Sequence, residues 1–104
     1  DAGCVALCAA LRQQACALQL LALRFNEISD VGAEALARVI EVNKSVTELG
    51  LNNNRITDDG IATLTVALAH NSTLSLLRLT ENPMGRESLK RLTNAQRPGL
   101  HLYF

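Results

Sequence analysis

Residues 51–60 read LNNNRITDDG. Three asparagines and two aspartates fall within ten residues, closed by a glycine. Such a stretch can be an oxygen-rich ligand site or a joint between two elements. The calcium-loop pattern Asp-x-Asn-x-Asn-Gly is only loosely met. Asn52, Asn53 and Asn54 are contiguous, Asp58 comes four residues after Asn54, and no Glu closes a twelve-residue loop.

The stretch recurs along the chain. Asn26, Asn54 and Asn82 are 28 residues apart. The same spacing links Leu18, Val46 and Leu74; Leu21, Leu49 and Leu77; Leu23, Leu51 and Leu79; Ile28, Ile56 and Met84; and Leu36, Leu64 and Leu92. Asp30 and Asp58, Gly32 and Gly60, and Asn43 and Asn71 share it over two units. The third unit has Arg86 and Ser88 where Asp and Gly are expected. A fixed period of this length marks a repeat architecture.

Each unit has a short segment and a long one. Val46-Thr-Glu-Leu49-Gly-Leu51 alternates at its end as a half-buried strand does. After Asp-x-Gly, residues Ala33, Leu36, Ala37 and Ile40 recur at offsets of three and four, as on an amphipathic helix. Asp30 and Asp58 precede these helices and fit capping. Gly32 and Gly60 fit close turn geometry or close packing. Asn43 and Asn71 stand just past the helices, where Asn tolerates a left-handed stop. One unit cannot bury its own apolar face. Stacked units align the strands into a curved parallel sheet with the helices outside, an α/β solenoid.

Composition agrees with this and narrows the function. The 104 residues suit one domain. Apolar residues make up 48% and aromatics 3%, so the core is aliphatic. Ten basic residues balance ten acidic ones, which leaves no electrostatic footprint for nucleic acid or an anionic membrane. No apolar run is long enough to span a membrane, and there is no signal-peptide pattern. Cys4, Cys8 and Cys16 crowd one end, with Cys4 and Cys8 on one helix face. His70 and His101 are far along the chain, so no metal site is expected; the cysteines read as small buried residues in a reducing compartment. Ser29, Ser45, Ser72, Ser75 and Ser88 have no histidine nearby in the repeat geometry to activate them, so neither catalysis nor a cofactor is expected.

The pattern Leu-x-x-Leu-x-Leu-x-x-Asn-x-Ile, followed by Asp-x-Gly-Ala and Leu-Ala, resembles the leucine-rich repeat. The 28-residue period with a full helix resembles its ribonuclease-inhibitor-like subfamily. That group includes the C-terminal repeats of cytosolic NOD-like immune receptors. The run Gly3-Cys4-Val-Ala-Leu7-Cys8 is similar to the cysteine-bearing helices of that subfamily. The resemblance implies a horseshoe segment with parallel strands on the concave face and helices on the convex face. It also implies that Asn26, Asn54 and Asn82 point inward and tie the backbone where it leaves each strand.

On this reading residues 1–17 are a partial repeat, 18–45, 46–73 and 74–96 are repeats, and 97–104 form a closing strand. Pro98-Gly99 marks a turn, and Leu100, Leu102 and Phe104 alternate with His101 and Tyr103. Phe104 and Tyr103 are expected to cover the end of the core. Further repeats or another domain are expected before Asp1, and the chain is expected to be the C-terminal part of a longer protein. Asn43-Lys44-Ser45 and Asn71-Ser72-Thr73 are glycosylation sequons, but the cytosolic resemblance implies that they are bare helix stops.

Recognition is left to the strand residues between the inward leucines. These are Leu20, Ala22 and Arg24; Glu48, Gly50 and Asn52; Leu76, Arg78 and Thr80; and then His101 and Tyr103. The loop edge adds Phe25, Glu27, Asn53, Arg55 and Glu81. The expected partner is another protein or a domain of the parent chain. The expected role is non-enzymatic and cytoplasmic: ligand-sensing or autoinhibitory repeats of a NOD-like receptor. The alternative is a scaffold or regulator of the cytoskeleton or cilium, or a regulator of a GTPase, for which Arg55 is the loop arginine.

Overall fold

A computed structural model describes residues 1–13 and 18–104. Helices and strands alternate along it. They are α1 (Ala2–Gln13), β1 (Leu20–Ala22), α2 (Asp30–Val42), β2 (Glu48–Gly50), α3 (Asp58–Ala69), β3 (Leu76–Arg78), α4 (Arg86–Ala95) and β4 (His101–Tyr103). The strands form one parallel sheet in sequence order. Leu21 pairs with Leu49, Leu49 with Leu77 and Leu77 with Leu102. The helices line the other side of the sheet.

The repeated apolar positions stack into the core. Leu51 and Leu79, Ile28 and Ile56, and Leu36, Leu64 and Leu92 are all buried. Burying each such side chain contributes about 1.5–3 kcal/mol. The alternate strand positions Leu20, Glu48 and Arg78 remain open to solvent, as the two-residue period of a strand dictates. The fold is therefore an α/β leucine-rich repeat solenoid, with side chains at fixed places above and below one sheet.

Successive strands are 28 residues apart until the last, where Leu76 pairs with His101, 25 residues on. The shorter unit closes through a turn at Arg97–Leu100, and Gly99 sits there at φ 86°, a conformation glycine adopts freely. Leu100 is buried and Leu102 half-buried, whereas Tyr103 and Phe104 are exposed. The end of the core is thus covered by the two leucines, not by the aromatic pair. Tyr103 belongs to the outward set of its strand, opposite Arg78.

Two local expectations are corrected. Asn43 is extended (φ −78°, ψ 134°), and Asn71 is not among the described residues with positive φ. Neither stops its helix by a left-handed turn. Each accepts instead from two backbone N–H groups downstream: Asn43 Oδ1 from Ser45 and Val46, Asn71 Oδ1 from Thr73 and Leu74. Asp30 and Asp58 are the first residues of their helices, after Ser29 and Thr57. Their carboxylates do not cap their own helices. Asp30 accepts from the Thr57 N–H and hydroxyl of the next repeat, and Asp58 from the Gly85 N–H and Ser88 hydroxyl.

Candidate interaction face

The strand exits are fixed by asparagine. Asn54 Oδ1 accepts from the N–H groups of Asn26 and Ile28, both at 2.9 Å. Its Nδ2 donates to the carbonyls of Leu23, Leu51 and Asn52. Asn82 repeats the pattern, accepting from Ile56 and donating to Leu51 and Leu79. Asn26 is exposed and donates only to the Arg24 carbonyl among the described contacts. Within the stretch 51–60, the side-chain oxygens of Asn54 and Asp58 are taken up by backbone N–H groups of neighbouring repeats. Asn54 serves two repeats, and Asp58 serves α4.

Glycine makes room for this network. A Cβ on Gly60 would come 2.5 Å from Asp30 Oδ1 and 2.7 Å from Ile56 Cγ2. One on Gly32 would come 2.7 Å from Asp1 Oδ1. The carboxylate of one repeat occupies the space a side chain would need in the next.

The outward strand residues line a shallow concavity of about 450 Å³. Its floor is Ala22 and Gly50; Arg24, Asn52, Arg78, Glu48, Leu20 and Leu76 stand around it. Small residues on adjacent strands make the depression. Arg78 lies over the Tyr103 ring, 5.1 Å from its centroid, so one cation is held in place by the closing strand. Among the described residues neither Arg24, Arg78 nor Glu48 has an opposite charge within 4.0 Å. Thr80 and His101 are exposed at the margins.

The loop edge is less free than its sequence suggests. Arg55 pairs with Glu27 at 3.3 Å; both side chains are about 70% exposed, so the pair adds little stability. Asn52 Nδ2 donates to Asn53 Oδ1 at 3.1 Å. Phe25, Asn53 and Glu81 share one repeat position, and all have φ near 60°.

Away from this face, Cys4 and Cys8 are buried; Cys16 lies outside the described residues. Cys4 Sγ donates to the Gly32 carbonyl at 3.8 Å, and its interaction with Cys8 draws its pKa down to about 7 against the effect of burial, while that interaction and burial push Cys8 upward. Among the described residues no three His, Cys, Asp or Glu side chains cluster as a metal ion would need, and no helix is long and apolar enough to cross a membrane.

Three contacts were missed in the sequence: Asp30 to Thr57, Asn71 Nδ2 to the Ile40 carbonyl, and Arg97 to the Leu68 carbonyl. The first left a signal, since Ser29 and Thr57 are hydroxyl residues at the repeat spacing. The last left none, because Arg97 is off the 28-residue register.

In its repeat spacing and its strand order the chain has the fold of a leucine-rich repeat solenoid. A family model described as a leucine-rich repeat matches residues 15–37 and 42–64. No curated protein matches the chain in sequence. Among solved structures, a chain titled "Leiomodin-1 Actin-Binding Site 2 (ABS2)" is similar, with a TM-score of 0.87 and 28% identity. The likeness covers 96% of this chain and 60% of that one, so the chain spans less than two thirds of that neighbour's length.

Proposed function

We propose that the chain is a non-enzymatic protein-binding module of the cytoskeletal kind, holding its partner on the concave face of the sheet. The likeness to the leiomodin-1 chain carries this reading, and it favours the cytoskeletal alternative over NOD-like receptor repeats. The concavity supports it. Two arginines and a glutamate stand there without opposite charges among the described residues, beside a floor too small to fill the space. Unsatisfied charge around an apolar floor suits a protein surface. The binding set is Arg24, Glu48, Asn52, Leu76, Arg78, Thr80, His101 and Tyr103, with Phe25, Asn53 and Arg55 at the edge.

Actin is the first partner to test. Purified chain is mixed with monomeric actin in sedimentation velocity and with filaments in co-sedimentation. A complex is expected in one form, weakened by Arg78→Glu and unchanged by Arg38→Gln on the helical side. Actin left free in both forms removes the cytoskeletal reading. Binding that Arg78→Glu leaves intact moves the site off the concave face.

A further inference from the structure

Phe25 is held in a backbone conformation that suits its counterpart and not itself. Phe25, Asn53 and Glu81 follow their strands at the same repeat position, with φ of 59°, 59° and 60°. The ladder imposes this. The Phe25 N–H donates to the carbonyls of Asn52 and Asn53, at 3.3 and 3.1 Å, and the Asn53 N–H donates to that of Thr80 at 2.9 Å. Asparagine visits the left-handed region readily, and a bulky aromatic does so at a cost. Burial does not offset that cost. Phe25 is 68% exposed, the most open of the large apolar residues described. Glu27 and Glu81 share the positive φ, so what sets Phe25 apart is that the ladder holds a bulky, exposed aromatic there; enforced strain of this kind clusters at binding sites.

Arg24 precedes it and lines the concavity with Arg78, and neither meets a carboxylate within 4.0 Å among the described residues; Glu48, the carboxylate in the same lining, stands further from the loop edge, level with Leu20 and Leu76. We propose that Phe25 is the anchor of the concave interface, and that the partner is an acidic protein segment. Its apolar recess takes the ring, and its carboxylates meet Arg24 and Arg78. This rests on the concave reading above. An exposed aromatic beside arginines, on a rigid ladder, has the make-up of an interface hot spot.

The test pairs stability with binding. Phe25→Asn copies the residue that already stands at position 53. It relieves the strain, so the melting temperature is expected to rise by roughly 4–8 °C. A random-peptide display library is panned on the chain, and the enriched peptides are measured on variants. They are expected to be rich in Asp and Glu alongside apolar residues. They should lose roughly thirtyfold in affinity on Phe25→Asn, keep it on Phe25→Tyr, and lose it on Arg24→Gln with Arg78→Gln. A melting temperature that falls on Phe25→Asn overturns the proposal, and so does affinity that this change leaves intact. Peptides lost on Leu76→Lys but indifferent to Phe25 and to both arginines overturn the anchor and spare the concave face. Peptides indifferent to every variant, or no enrichment at all, overturn both readings.

Discussion

Arg97 takes, in the last unit, the place that Asn71 takes one repeat earlier. The Asn71 amide donates to the carbonyls of Ile40 (2.7 Å) and Asn43 (3.3 Å). The Arg97 guanidinium donates to those of Leu68 (2.6 Å) and Asn71. Leu68 and Asn71 stand 28 residues after Ile40 and Asn43, so these are the same two carbonyls one repeat on. They lie at a helix end, where carbonyl oxygens lack partners within the helix. The repeat position of Asn71 falls next on Gly99, which has no side chain. A long forked side chain enters from the shortened turn instead.

Replacing Arg97 with Ala is therefore expected to destabilise the chain by about 2 kcal/mol, within the range for hydrogen bonds to a charged group that is only partly buried. Arg97→Lys should restore less than half, because an ammonium cannot span two carbonyls as a planar fork does. Urea midpoints for the three proteins measure this. A change below about 0.5 kcal/mol for Arg97→Ala means the fork does not hold the closing unit.

The asparagine ladder predicts an order of sensitivity. Asn54 is buried and makes five side-chain hydrogen bonds across two repeats. Asn54→Ala leaves several buried backbone groups unpaired and should cost about 3 kcal/mol or more. Asn54→Asp should do no better, since a carboxylate cannot donate to three carbonyls. Asn82 is half-buried and should fall between the two others. Asn26 is exposed, and Asn26→Ala should cost less than about 1 kcal/mol. Chemical denaturation of the three alanine variants reads the order, and equal losses would refute it.

Sequence periodicity showed the fold because burial repeats wherever stacking does. Leu49, Leu64 and Leu77 could be placed in the core from spacing alone. Other features have no periodic signature. An asparagine after a helix can stop it in a left-handed turn or bind the next N–H groups with extended backbone, and Asn43 does the second. An aspartate at a helix start looks like a cap for its own helix, yet Asp30 reaches the next repeat, a choice set by how closely Gly60 lets the units approach. Position 25 could be aligned with Asn53, but only the backbone angle gives its phenylalanine meaning. Arg24 and Arg78 were legible as concave residues; the stacking of Arg78 on Tyr103 required the 25-residue closing unit to bring β4 into register.

A swap between two repeats gives a test of coupling. In one, the Thr57 hydroxyl meets Asp30 and Gly60 leaves the space for the carboxylate. In the next, Gly85 stands in the place of Thr57, and Ser88, in the place of Gly60, gives its hydroxyl to Asp58. Hydroxyl and glycine have traded positions, and Met84 has replaced Ile56. In an Ile56→Met background, Gly60→Ser is expected to cost about 1–3 kcal/mol through overpacking, and Thr57→Gly about 1 kcal/mol through a lost bond. Combining them rebuilds the arrangement of the last unit. The double change should cost at least 0.5 kcal/mol less than the sum, roughly the threshold for real coupling. Strict additivity in this cycle rejects the exchange.

Asp58 gives the prediction for pH. The Ser88 hydroxyl and the Gly85 N–H, with a smaller contribution from Arg91, hold its carboxyl below the ordinary value of 3.8. A carboxyl whose pKa is lowered by folding binds fewer protons in the native state than in the unfolded one. Its stabilising effect is therefore complete above 3.8 and disappears as pH falls through the lower folded value. Asp58→Asn keeps the shape and an accepting oxygen but cannot ionise. Urea midpoints of both proteins, taken from about pH 7 to about pH 2, should differ most near neutrality. The gap should narrow as the solution becomes more acid than 3.8. A gap that stays constant over that range shows that the charge on Asp58 is not what joins α3 to α4.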